Sequence, residues 1–197
     1  KRIAYTGDIG RPSSRILAPP LPFPQADILI TESTYGDRLH QDTDSADGEL
    51  LATVIHTCVN KGGKLIIPSF SVGRTQEIVY SLNNFFNKGK LPRVEIFVDS
   101  PLAVNATTIF RMHPECFNRE ILRIMENDPD PFGFNSLSYI TRQADSKKLN
   151  DYKKPCIIIS ASGMMEAGRV KHHLANNISN PQTTILLVGY CYHATLG

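Results

Sequence analysis

Short apolar runs closed by small or turn-forming residues alternate along this chain with longer stretches of helical spacing. The first two runs are residues 3–6 and 28–31. The second is continuously apolar or β-branched, which predicts a buried strand. Between them, Arg11 to Pro24 carries Pro12, Pro19, Pro20, Pro22 and Pro24 and reads as loop. Glu32 to Gln41 reads as loop again. A helix is predicted from Ser45, capped by Ser45 or Asp47, with Leu50, Leu51, Val54, Ile55, Cys58 and Val59 at helical spacing. Lys61-Gly62-Gly63 ends it.

A regular alternation follows. Strands are predicted at 64–67, 93–98, 156–160 and 183–188, with a shorter one at 138–141. Helices are predicted at 74–87, 102–112, 115–126, 143–149 and 166–177, with Pro101 in the first turn of the second. The Asp-Pro-Asp-Pro-Phe-Gly run from Asp128 is a breaker. This spacing predicts an α/β fold, a mostly parallel sheet flanked by helices, with the four longer strands in one sheet. A modest change of composition near residue 45 sets a boundary there, between 1–44 and the α/β remainder.

Composition narrows the classes. With 197 residues, 41% hydrophobic and 20% charged, the chain has the make-up of a soluble globular domain or slightly more. The net charge of +2 is too small to argue for nucleic acid by itself. No apolar run approaches the roughly 20 residues of a membrane span, so no membrane partner is expected, and no run has the form of a signal peptide. Cys58, Cys116, Cys156 and Cys191 are widely spaced and form no CxxC, which predicts reduced, mostly buried thiols in a cytoplasmic setting. No G-x-G-x-x-G or Walker pattern opens a helix, which disfavours a nucleotide-binding domain. Lys at position 1, with a strand beginning at once, predicts a piece of a longer protein. Composition does not set an oligomeric state.

The chemistry-bearing residues follow the strands. Asp8 and Glu32 each sit in a small-residue turn after an apolar run, where sites at the carboxyl edge of parallel strands lie. An Asp in such a turn can equally bond backbone amides. Ser69-Phe-Ser-Val-Gly-Arg74, Asp99-Ser-Pro, Ser160-Ala-Ser162-Gly through Arg169, and Gly189-Tyr190 follow later strands. Their hydroxyls and amides suit an anion, and Arg74 or Arg169 adds a charge for phosphate. Small residues after a strand also simply make the turn, and Arg74 can instead cap or pair within the fold. Asp99 reads as a helix cap. His172 and His173 point about 100° apart on a helix, which argues for structural or surface roles rather than chelation. His113 reads as a helix end, and His193 lies in a loop near the proposed edge.

Taken together and in this order, from Tyr5 to Gly197, these motifs closely resemble the β-CASP branch of the metallo-β-lactamase superfamily, a family of RNA-processing nucleases. The resemblance implies that 1–44 is a partial metallo-β-lactamase segment, 45–190 the β-CASP α/β domain, and 191–197 the start of the return to the first. It places on Asp8 the acid that bridges two zinc ions. On Glu32 it places the acid that orients or deprotonates water, or holds a ligating His. It also implies substrate contacts from Ser69, Arg74, Ser160, Ser162 and Arg169, and single-stranded RNA as partner. The implied function is a zinc-dependent phosphodiesterase in the full-length protein, with this stretch alone inactive and without zinc. The alternative is a non-catalytic homologue that binds nucleic acid or protein and has lost its metal site. The family's His-x-His-x-Asp-His motif is absent: none of His40, His56, His113, His172, His173 and His193 has that spacing. Cys191-Tyr-His193-Ala also departs from the family's Gln-Ala-x-Gly segment.

Overall fold

The computed structural model describes residues 1–37 and 43–197, so His40 and the end of the predicted loop lie outside the described residues. Its elements in order are β1 (Ile3–Tyr5), β2 (Ile28–Ile30), α1 (Thr43–Val54) continued by π turns (Ile55–Asn60), β3 (Lys64–Pro68), α2 (Arg74–Asn87) and β4 (Glu95–Asp99). Then come α3 (Pro101–Met112), a 3₁₀ turn (Pro114–Cys116), α4 (Arg119–Met125), β5 (Leu137–Ile140), α5 (Gln143–Asp151), β6 (Cys156–Ser160), α6 (Val170–Asn177) and β7 (Thr184–Ile185). β1 and β2 form a parallel pair, and the other strands form one sheet in the order β5-β4-β6-β3-β7. Every pairing in that sheet is parallel, as the alternation predicts.

Strand periodicity sorts the side chains to two faces. Leu65, Ile67, Ile96, Val98, Ile157 and Ile159 point to one core, which they share with Val54, Val79, Leu82 and Ile121 of the helices. Ile66 points the other way, toward Val170 and Leu174, and Ile158 and Cys156 meet Leu149 on that same side. All five residues of β6 are buried, because β6 is paired on both edges and covered on both faces. The chain leaves β3 and β4 toward the first face and leaves β6 toward the second. The crevice where adjacent strands send their connections to opposite faces therefore lies at the carboxyl ends of β3, β4 and β6.

Several local expectations are corrected. β2 is exposed, not buried: Leu29 and Ile30 keep 55% and 52% of their surface. The two-stranded sheet has no covering layer on either face among the described residues. α1 begins at Thr43, so Ser45 and Asp47 lie inside it, and Asp47 pairs with Arg15 instead of capping. The π turns widen the helix beyond Val54, burying Thr57 and Cys58 while Ile55 and Val59 stay exposed. The predicted 115–126 helix is split, with Asn118 capping α4 by accepting from the Glu120 and Ile121 amides. α6 starts at Val170, not 166. Gly168 has φ +77° and its Cα approaches the Ala161 carbonyl so closely that a Cβ would lie 2.3 Å from that oxygen. The last strand pairs only over Thr184–Ile185, with one further bond from the Leu186 amide to the Ile66 carbonyl.

Candidate functional site

Two acidic turns stand side by side at the carboxyl end of β1 and β2. Parallel pairing puts Tyr5 opposite Ile30, and the Thr6 amide donates to the Ile30 carbonyl. Asp8 is exposed and Glu32 half-buried. The Glu32 carboxylate accepts the Thr34 amide at 2.8 Å. Hydrogen bonds from Thr34, backbone and side chain, hold its pKa below the ordinary value, and the Ile9 amide adds to them. Ile9 follows Asp8 directly, so the two turns predicted from separate runs meet.

The loops after β3, β4, β6 and β7 converge at the edge of the larger sheet. The Ser69 amide donates to the Ser160 carbonyl, and the Ser71 and Ser100 hydroxyls lie 3.0 Å apart. Gly163 lets the Phe70 ring pack on its backbone, since a Cβ there would come within 2.9 Å of that ring. Farther on, the Leu196 amide donates to Glu166, and the Cys191 thiol approaches the Gly163 carbonyl.

Asp99 is the end of β4, and Ser100 is the cap of α3, accepting from the Ala103 amide. The capping role read for Asp99 is thus taken by its neighbour. The Asp99 carboxylate is fully buried. It accepts from Ser146 and from His173 Nε2, each at 2.6 Å, and from Arg169 at 2.7 Å. Burial alone would raise its pKa; the His173, Ser146 and Arg169 donors outweigh it and hold the group below the ordinary carboxylate value. His173 is buried too, in a structural role, and its Nδ1 has no partner. Arg169 also donates to the carbonyls of Ile140 and Thr141. One carboxylate thus ties together the ends of β4 and β5 and the starts of α5 and α6.

The five residues assigned to substrate fall into two groups. Ser69 and Ser160 are buried. The Ser69 hydroxyl accepts from Thr75, and the Ser160 hydroxyl donates to the Asp99 carbonyl. Arg169 is held by Asp99. Ser162 is half-buried in the loop after β6. Arg74, paired with Glu77 at 2.7 Å, lines a cavity of about 420 Å³. Arg11, Tyr35, Tyr190 and Cys191 also line it, so the cavity joins the acidic turns to the larger sheet. The Tyr35 and Tyr190 rings meet edge to face at 5.9 Å. Sequence reasoning missed Arg11, which carries no motif of its own, and marked Tyr190 only as part of a turn after the last strand. It missed the role of Asp99 because its partners lie 47, 70 and 74 residues away.

The Beta-Casp domain family matches residues 75–197, more than half of the chain. The chain belongs to the Beta-Casp family. It is similar over its whole length to "RNase J-like protein" of Methanocaldococcus jannaschii, at 38% identity, and to "Ribonuclease TTHA0252" of Thermus thermophilus, at 32%. It covers 45% of each of those proteins. "Endoribonuclease ysh1" of Schizosaccharomyces pombe is 32% identical over 98% of the chain, which covers 25% of that protein. The chain therefore spans less than half the length of these Beta-Casp relatives. Among the described residues, no group of three or more His, Cys, Asp or Glu side chains is arranged to hold a metal. A catalytic zinc needs about three protein ligands, so Asp8 fits as one member of a donor set only.

Proposed function

We propose that this chain forms part of a zinc-dependent phosphodiesterase that cleaves single-stranded RNA. The observation that carries the reading is the pair of acidic turns on adjacent strand ends, next in sequence to Arg11 and Tyr35, which line a cavity together with residues of the larger sheet. The relatives, a ribonuclease and an endoribonuclease among them, support RNA as the substrate class. Asp8, exposed at its turn, is the carboxylate that would help to hold the zinc. Glu32 is kept ionised by the amides it accepts. A lowered pKa makes it a weak base, which favours orienting water or a metal-ligating side chain over removing a proton. Zinc bound there would polarise the water and the phosphate. Arg74 and Ser162, both half-buried at the edge, face the substrate, while Ser69, Ser160 and Arg169 hold the loops that carry them.

The test is Asp8→Ala in the intact protein. Cleavage of a labelled single-stranded RNA should be lost, together with bound zinc measured by elemental analysis, while the melting temperature stays close to the parent's. Near-normal cleavage with zinc content unchanged would overturn the reading. A parent that binds RNA but neither holds zinc nor cuts would establish the non-catalytic alternative.

A further inference from the structure

We propose that the Arg11–Tyr190 cavity is a subsite for one nucleotide of single-stranded RNA, with Arg11 holding its phosphate and the Tyr35–Tyr190 pair meeting its base. The inference rests on the RNA reading above and goes beyond it by giving Arg11, Tyr35 and Tyr190 roles that the motifs do not assign. The cavity's volume of about 420 Å³ lies at the lower end of the range for small-molecule sites, roughly 300–1,000 Å³. That suits one nucleotide and excludes a duplex.

The charges on the wall select the ligand. Three arginines line the cavity, and Asp47, Glu49 and Glu77 balance them. Arg15 is tied to Asp47 and to Ser81, and Arg74 to Glu77. Arg11 is half-buried, yet among the described residues it makes no hydrogen bond or ion pair. A guanidinium withdrawn from water without a partner is poised for an oxyanion, and its planar fork matches phosphate. With Arg15 and Arg74 spent on Asp47 and Glu77, Arg11 is left beside the exposed carboxylate of Glu49, and a wall with that little positive charge suits at most a single phosphodiester and an uncharged base, not a polyphosphate.

The aromatic pair supplies the other half. Tyr35 and Tyr190 are half-buried, so ring surface remains open beside the arginine. Bases of single strands stack on such rings without regard to sequence. Arg11 is three residues beyond Asp8, so the two Cα atoms are within about 11 Å of each other. A strand with one nucleotide in the cavity therefore passes the acidic edge.

The experiment measures anisotropy of a short fluorescent single-stranded RNA on the intact protein carrying Asp8→Asn to suppress cutting, over a series of salt concentrations. Arg11→Gln should weaken binding roughly tenfold or more and reduce the slope of log affinity against log salt by about 0.7, the value of one lost phosphate contact on a single strand. Arg11→Lys should keep the slope. Tyr190→Leu should weaken binding roughly 5-fold to 100-fold with the slope unchanged, since stacking releases no counterion. Unchanged affinity and slope in Arg11→Gln, or equal slope losses in Arg11→Gln and Tyr190→Leu, would overturn the subsite while leaving the RNA reading intact. A parent that binds no RNA even at low salt would remove both.

Discussion

Replacing Asp99 by alanine removes the acceptor for three donors at once. His173 Nε2 and the Ser146 hydroxyl would face a cavity with no other partner, because both side chains are buried. Arg169 is 20% exposed and keeps its bonds to the carbonyls of Ile140 and Thr141, so its share is discounted for solvent. Breaking a buried pair from one side costs about 3–5 kcal/mol, and each stranded buried donor about 1–3 kcal/mol. With Arg169 discounted, the expected loss is about 3–4 kcal/mol. At about 2–4 °C per kcal/mol for a domain of this size, melting should fall by about 6–16 °C. Asp99→Asn keeps an acceptor oxygen but turns an amide group toward a donor, so it should fall between parent and alanine variant. Thermal melting followed by circular dichroism reads both. A drop below about 2 °C for Asp99→Ala would refute the claim that this carboxylate pins the sheet edge.

Three further outcomes are expected. His173→Gln, which can keep a donor near the Nε2 position, should cost about 1 kcal/mol against about 3 kcal/mol for His173→Ala, read by urea unfolding. The folded-state pKa of Asp99 lies below its unfolded value of about 3.9. Its contribution is therefore fully present above that range and lost as pH falls through the folded value, so Asp99→Asn should flatten the acid limb of a melting-temperature profile below about pH 4. Burial pushes the Cys58 and Cys156 thiols up to about 11 and about 12. Titration with a thiol reagent at pH 8 should therefore label exposed Cys116 quickly and these two only on unfolding.

The sheet was legible because its strands are continuous apolar runs bounded by turns. Lys64–Pro68 and Cys156–Ser160 each carry their period and their stop in adjacent residues. The start of α6 was not, because Glu166-Ala-Gly-Arg has helical propensity and only the close approach of Gly168 to Ala161 forbids it. Burial of β2 was misread for a related reason. An apolar run states what a strand would bury, whereas no described residue covers Ile28, Leu29 and Ile30, and they are exposed. At the site, the meeting of Asp8 and Glu32 followed from two strand ends in one motif order. Arg11 lies in a proline-rich loop whose path no periodicity dictates. The ligands of Asp99 come from three segments that only the tertiary fold brings together.

The order of strands constrains how the chain can be assembled during synthesis. β3 and β4 are consecutive in the sheet's sequence, yet they never touch, because β6 lies between them. In the folded sheet the two stand one strand apart, about 9–10 Å from axis to axis. The strand between them is made more than fifty residues later. Until Cys156–Ser160 arrives, the facing edges of β3 and β4 present open hydrogen-bonding groups, the surface that favours association with other chains. Closure by insertion of a central strand makes long-range contacts a condition of forming the core, a topology that slows folding.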